Sequence, residues 1–322
     1  MKKTATVLAA AVFISLILAQ SVFAKPVTVK VGHVLNTDHS WHICLEGWAK
    51  DVAEQTNGRV DIKIFPSSQL GSEKDMVEGL RMGMVDAGLI GGSSFQNLDP
   101  KFGIEELPYA FDSHEAAYKV FDGFVGNALF AILDKKGIKG LSWWENGFRH
   151  ITNNKRPILS PEDLKGVKIR VTPNKMRLDT FTTMGASPMP IAFGELYSGL
   201  QQGVVDAQEN PLAIFYSNAF YEVQEYLSLT QHIWCSALLS VNKRVWNKIS
   251  KEDQAIMQQS AHVWRDKQRM MVQKDNKEML ERIKAKGVKV NNVDPQPFRA
   301  AVAKVWTDFE PVFGKELMNH MR

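Results

Sequence analysis

The sequence predicts an α/β protein of two lobes, each a mainly parallel sheet flanked by helices, with one long helix crossing both. Three observations carry that expectation. Between Val27 and Ile90, strand and helix patterns alternate as β-α-β-α-β, the order that builds a parallel, doubly wound sheet. A short motif recurs: Gly79-Leu80-x-x-Gly83-x-Val85-Asp86-Ala87 returns as Gly199-Leu200-x-x-Gly203-x-Val205-Asp206-Ala207, joining a helix to a strand at equivalent places in two lobes. Finally, Lys251 to Lys286 contains neither glycine nor proline. A helix of that length would run ~54 Å at 1.5 Å per residue, longer than one lobe, so it must bridge the lobes or lie along both.

The chain opens on Lys2-Lys3, a run from Ala5 to Leu18 that is apolar apart from Thr6 and Ser15, and then Ser21-Val22-Phe23-Ala24. A basic start, an apolar centre and a small-residue end mark a secretory signal peptide, so residues 1–24 are expected to be removed. The apolar run is short for a membrane span and no second candidate follows. The mature chain, beginning near Lys25, is therefore expected outside the cytoplasmic membrane and not inserted in it. Without Lys2 and Lys3 the formal charge falls from +4 to +2, which gives no electrostatic case for nucleic acid or a membrane surface. Cys44 and Cys235 are too few for a disulfide scaffold and sit among apolar neighbours, so two buried thiols are expected rather than a bridge. Two lobes suit the remaining length: 25–146 with 236–275, and 147–235 with 276–322.

Val27 to Gly32 alternates as a first strand. Asp38 or Ser40 can cap a helix over 41–56, which Asn57-Gly58 ends. Val60 to Phe65 is a second strand, and Ser72 caps a helix through Met82. Val85 to Ile90, mostly apolar, fits a sheet covered on both faces. In this order His33, the loop from His39 to His42, Glu73 and Gly91 to Ser94 fall at one sheet edge. A helix over 114–136 follows, then a strand at Gly140–Trp144 and a turn at Glu145–Arg149.

The second lobe starts at Ser160-Pro-Glu-Asp-Leu-Lys-Gly-Val-Lys-Ile-Arg-Val171. Ser160 caps a turn that Gly166 ends, and Val167, Ile169 and Val171 alternate as the inner face of a strand. Arg170 stands at the carboxyl end, where open α/β sheets place ligands. Its guanidinium could be a solvated surface charge or a two-pronged clamp for a carboxylate. A helix over 175–184, a loop over 185–193 holding two prolines, a helix over 195–202 and a strand over 204–207 follow. The chain ends in a strand over 288–290 and a mainly helical 297–321.

No Gly-x-Ser-x-Gly elbow, His-Glu-x-x-His, Walker loop or Cys-x-x-Cys is present, and no cofactor is expected. A secreted hydrolase or lyase using His33 or His42 with Glu73 lacks a paired nucleophile. His33, His39 and His42 invite zinc, but no further ligand stands at helical spacing with them, so no metal is expected. One of Trp143 and Trp144 should be core and the other, because strand neighbours face opposite ways, can face a cleft. Arg149 is open between a ligand contact and an ion pair between lobes. Asn210, after a strand and before Pro211, can donate and accept, as a carboxylate beside a hydroxyl requires; an ordinary turn asparagine is the alternative.

Several segments together resemble the substrate-binding subunits of tripartite ATP-independent periplasmic (TRAP) transporters, the DctP family. They are Pro66-Ser-Ser-Gln-Leu-Gly71, Asn146-Gly-Phe-Arg149, Asp163-Leu-Lys-Gly-Val-Lys-Ile-Arg170, Gly185-Ala-Ser-Pro188, Phe193 and Gly203-Val-Val-Asp-Ala-Gln-Glu-Asn-Pro211. They run in family order, and the resemblance covers essentially all of residues 25–322. It implies a two-lobed periplasmic-binding-protein fold closing on an organic acid, with membrane permease subunits as partners. It implies that Arg170 binds the substrate carboxylate, that Asn210 is a second contact, and that Arg149 and Phe193 are pocket positions. Where sialic-acid binders carry a glutamate after the third strand, this chain has Gly91-Gly92, which argues against sialic acid. His33, His39, His42, Glu73, Ser93 and Ser94 offer a hydroxyl-binding lining, and Trp144 or Phe193 a surface for the carbon skeleton. The expectation is a monomeric, periplasmic, non-enzymatic binder of a sugar acid such as a hexuronate or aldonate. A C4-dicarboxylate would need a second cation from Arg149 or a protonated histidine.

Overall fold

The computed structural model describes residues 25–321, the side chains of 275–277 excepted; the signal-peptide expectation lies outside the described residues. The first lobe begins β1 (Val27–Gly32), α1 (Ser40–Gln55), β2 (Val60–Phe65), α2 (Glu73–Met82) and β3 (Ala87–Gly91). Helices α3 (His114–Phe121) and α4 (Phe124–Lys135) then lead into β4 (Ile138–Phe148). The second sheet takes β5 (His150–Asn153), β6 (Lys168–Val171), α5 (Lys175–Thr183), β7 (Ser187–Pro190), α6 (Leu196–Gln201), β8 (Ala207–Asn210), α7 (Leu212–Ser217) and β9 (Tyr226–Leu229). Strand β10 (Trp234–Asn242) returns to the first sheet, followed by α8 (Lys243–Trp246) and the long α9 (Lys251–Ala285). The chain closes with β11 (Lys289–Asn292), α10 (Pro295–Phe313) and α11 (Lys315–Asn319).

The strands form two sheets, β2-β1-β3-β10-β4 and β11-β9-β5-β8-β6-β7. β1 runs parallel to β2 and β3, and β10 is antiparallel to both β3 and β4. All five residues of β3 are buried, as a strand covered on both faces requires. Long helix α9, capped by Ser250, packs on α1 and β4 of the first lobe and on α7 of the second. Among the described residues no single helix is long and apolar enough to cross a membrane.

The repeated motif is a structural repeat. Gly83 and Gly203 both end helices at positive φ, +84° and +70°, where only glycine is unstrained. The next two N–H groups bond back to Gly79 O in one lobe and Gly199 O in the other. Asp86 then accepts from Lys30 N of β1, and Asp206 from Lys168 N of β6. Because residues 85 and 205 serve these turns, the strands start at Ala87 and Ala207, later than expected. Asn210 is consequently the last residue of a strand rather than part of a loop.

Other boundaries also differ. The N-cap of α1 is His39, whose Nδ1 accepts from Trp41 N, not Asp38 or Ser40. The expected single helix over 114–136 is two, bent by 45°, and the junction holds Gly123, where a side chain would come 2.6 Å from Lys119 O. Residues 185–193 include edge strand β7, whose prolines lie on the outermost position of the sheet, the place a missing donor is tolerated. The expected turn at Glu145–Arg149 is instead mostly the end of β4, because β10 pairs with it as far as Phe148.

Candidate ligand-binding site

Between the lobes lies a cavity of about 170 Å³, reached by β6 and β8 from one side and by α1, α2, the residues after β3 and the end of β4 from the other. A water needs ~10–15 Å³ on this scale, so the space accepts a ligand of several carbon atoms. Arg170, Asn210, Arg149, Phe193, Glu73 and Ser94 all line it; His33, His39, Ser93 and Trp144 do not.

Arg170 is 1 % exposed, although Lys168 on the same side of β6 is exposed. Its Nε donates to Ile191 O at 2.9 Å, and its guanidinium carbon lies 5.9 Å from the centre of the Phe193 ring. Nη1 is buried and has no partner. Burial pulls this guanidinium down to about 9; Glu209 opposes the shift, while Arg149 and Arg177 add to it. A buried cation without a paired carboxylate is a costly arrangement, and an anion in the cavity would relieve it.

The other arginines are already paired. Arg149 donates through Nε to Glu209 Oε2 at 2.5 Å and through Nη2 to Asn210 Oδ1 at 2.9 Å. Arg177 bonds Glu209 Oε1 at 3.0 Å and reaches across to both oxygens of Glu106. Burial pushes the Glu209 carboxyl up, but Arg149 and Arg177 overcome it and hold it well below the usual range. Arg149 is thus paired within its own lobe, and Arg177, not singled out from sequence, makes a buried ion pair between lobes. Asn210 spends one N–H on Gln208 Oε1 at 2.5 Å, which leaves its second amide hydrogen for a ligand.

On the first-lobe side, Glu73 Oε1 accepts from Gly91 N at 2.9 Å and Oε2 from Ser94 Oγ at 2.8 Å. The histidines sit behind this surface. His33 Nε2 and His42 Nδ1 are 3.1 Å apart, and Leu35 N donates to His33 Nδ1. Burial, then His42 and His39, pulls His33 down to about 3, and burial does the same to His39. Neither therefore supplies a second cation or a catalytic base facing the cavity. Ser93 is turned inward, its N–H on Glu105. Trp144 is fully buried with its indole N–H on Ser142 Oγ, whose own hydroxyl meets Ala261 O of α9. Trp143, on the opposite face, stacks on Phe130 of α4. Both faces of β4 are covered by helices, so neither tryptophan reaches the cleft.

Trp41 lines the cavity instead, its indole N–H on Glu145 O at 2.8 Å. Asn146, Thr172, Ser68 and Lys74 are further lining residues with no role assigned from sequence. Trp41 had a usable signal: it lies in the first turn of the helix that follows the carboxyl end of β1 in a parallel sheet, the edge where ligands bind. Among the described residues one group has metal-ligand spacing, Glu105, Glu106 and Cys235. Its carboxylates are occupied by Arg177, Ser93 N and Ser236. Cys44 and Cys235 are both buried and unbridged.

A family model described as bacterial extracellular solute-binding protein, family 7 (DctP), matches residues 31–311. The 2,3-diketo-L-gulonate-binding periplasmic protein YiaO of Escherichia coli K12 is 36% identical over 276 residues, 85% of this chain and 84% of that protein. A TRAP periplasmic solute-binding protein of Polaromonas sp. JS666, solved bound to D-erythronate, superposes with a TM-score of 0.89 at 37% identity, covering 91% of this chain and 97% of that one. Another from Sulfurospirillum deleyianum DSM 6946, solved with bound succinate, gives 0.87 at 32% identity, with coverages of 91% and 97%. These are substrate-binding proteins, not enzymes. The chain belongs to bacterial extracellular solute-binding protein family 7, the DctP family of TRAP-transporter solute-binding proteins.

Proposed function

We propose that this protein captures a hydroxylated monocarboxylate, a sugar acid such as an aldonate or hexuronate, and delivers it to TRAP permease subunits in the membrane. The observation that carries this reading is Arg170, buried with Nη1 unpartnered at the floor of the cavity. Arg170 holds the carboxylate, Asn210 supplies a second donor, and Arg149 keeps Asn210 oriented. Phe193 and Trp41 flank the carbon skeleton. Glu73, with Ser94, reads hydroxyls, and its negative charge repels a second carboxylate. The sugar-acid relatives support this choice. The protein acts as a periplasmic monomer after loss of residues 1–24, its lobes being 25–146 with 236–275 and 147–235 with 276–322.

The test is a thermal-shift screen over aldonates, hexuronates, 2-oxo acids and C4-dicarboxylates, followed by calorimetry on Arg170→Ala. A ligand at 100 times its dissociation constant adds ~2.7 kcal/mol of stability. Loss of the clamp should cost roughly 3–5 kcal/mol, so affinity should fall at least ~100-fold. Retained micromolar binding would remove Arg170 from its role. Exposed Lys74 at the mouth of the cavity, together with the succinate-bound relative, favours a C4-dicarboxylate as the second reading. Stabilisation by succinate or malate and by no sugar acid would establish that reading in place of the first.

A further inference from the structure

Among the described residues, two buried side-chain atoms without a protein partner belong to residues that line the cavity: Arg170 Nη1, a donor, and Asn146 Oδ1, an acceptor. The ligand carboxylate answers the first. Nothing described so far answers the second. The backbone puts Asn146 there by a specific device. β4 pairs Glu145 with Ser236 and Gly147 with Cys235, which leaves Asn146 as the unmatched residue of a β-bulge. Bulges break the strict alternation of a strand and re-aim a side chain. Gly147, at φ +120°, supplies backbone freedom beside it.

The donors at Glu145 O and the guanidinium three residues on are engaged elsewhere, and no hydrogen bond from Arg170 or Asn210 reaches Asn146 Oδ1. The Trp41 indole N–H and Gln268 Nε2 both go to Glu145 O, and Arg149 is bound to Glu209 and Asn210. A buried carbonyl oxygen needs a hydrogen-bond donor, and an ionised carboxylate has none to give. A ligand hydroxyl does.

We propose that Asn146 Oδ1 accepts a hydroxyl hydrogen from a ligand whose carboxylate lies on Arg170, making Asn146 a residue that selects hydroxylated acids over unsubstituted ones. This rests on the binding function proposed above and narrows its substrate class. A succinate-like acid presents only acceptors and leaves Oδ1 desolvated and unpaired. Sites built to bond a hydroxyl reject the analogue lacking it for that reason.

The experiment is calorimetric titration of the wild type, Asn146→Ala and Asn146→Ser with D-erythronate, its three single-deoxy analogues and succinate. One deoxy analogue should bind the wild type roughly tenfold or more weakly than D-erythronate. Asn146→Ala should weaken D-erythronate by a similar factor and leave that analogue within about twofold. Asn146→Ser, which keeps an acceptor, should recover part of the loss. Unchanged binding of the deoxy analogue reports that the variants are folded. Equal weakening of every acid by Asn146→Ala, or weakening of none, overturns the assignment while the clamp stands. If Arg170→Ala leaves these affinities unchanged, the clamp fails and the assignment falls with it while acid binding stands; if no acid of the wider thermal-shift screen binds the wild type, the binding function itself fails.

Discussion

His33, His39 and His150 are buried histidines held neutral, and they give the folded state a defined pH dependence. Burial pulls each down to about 3, with His42 and His39 adding at His33, and His232 and Arg149 at His150. Unfolded histidine takes up a proton below about 6.5, so the stability each contributes is complete above that value. It is lost as pH falls toward 3, at about 1.4 kcal/mol per pH unit. Glu105 runs the other way. Burial, then Glu106, raises its carboxyl to about 8 against the donors of Ser236 and Ser93, so its share is complete below 4.5 and lost as pH rises to 8. His114, where Glu145 overcomes burial, shifts in the same sense as Glu105, whereas His232 and His262 shift with the other histidines. Between 4.5 and 6.5 the histidines win. The melting temperature should therefore peak near pH 6.5, drop on going to pH 5 and decline again toward pH 8; a flat profile would contradict the assigned burial. At this scale Arg170 and Asn210, which the sequence puts at the carboxyl ends of strands, both line the cavity, Arg170 one residue before the end of β6 and Asn210 at the end of β8. His33, His39 and Trp144 do not line it, because whether a loop histidine faces a cleft or the layer behind it, and whether a strand face is left open or covered, depends on helix packing that no local pattern encodes.

The end of β4 shows the same limit at the scale of an element. Glu145-Asn-Gly-Phe-Arg149 contains a turn signal, Asn-Gly, and reads as a turn. The strand nevertheless continues because β10, arriving some 90 residues later, pairs with it and absorbs the extra residue as a bulge. The Asn-Gly pair is then used to aim a side chain rather than to reverse the chain. Gly147 at φ +120° carries that geometry; a Cβ there would only touch Pro211 Cβ at 3.4 Å, so the cost of a side chain lies in the backbone. Gly147→Ala should destabilise the protein by about 1–3 kcal/mol in urea unfolding. It should also weaken acid binding although residue 147 offers no side chain to the ligand. Unchanged stability and affinity would mean that the bulge tolerates ordinary residues and does not fix Asn146. Helix and strand existence was legible in the first lobe because period and caps agree there. Prolines hid edge strand β7, and its pairing with β6 alone reveals it.

At the scale of the whole molecule, the lobes are joined around the cavity by contacts that touch no ligand. Asn36, in the loop after β1, donates through Nδ2 to Ser217 O at 2.9 Å and to Asn218 Oδ1 at 3.3 Å beyond α7. On the other rim Gln96 Nε2 donates to Pro173 O at 3.2 Å. Deeper in, Arg177 is bound to Glu106. The two-lobe plan could be read from a repeated motif and one uninterrupted helix, but these pairings join residues from opposite lobes and have no sequence signature. Opening the cleft must break the rim contacts, so they set how long a ligand stays rather than which ligand is chosen. A net hydrogen bond is worth about 0.5–1.5 kcal/mol. Asn36→Ala and Gln96→Ala should therefore each speed dissociation by roughly 2- to 13-fold, with little change in association rate. Every acid should be weakened by the same factor, unlike substitution at Asn146, which should change the ranking. Stopped-flow tryptophan fluorescence with two unlike acids separates these outcomes. A change in relative affinity between the acids would show that Asn36 and Gln96 contact the ligand's side of the cleft instead of latching the lobes.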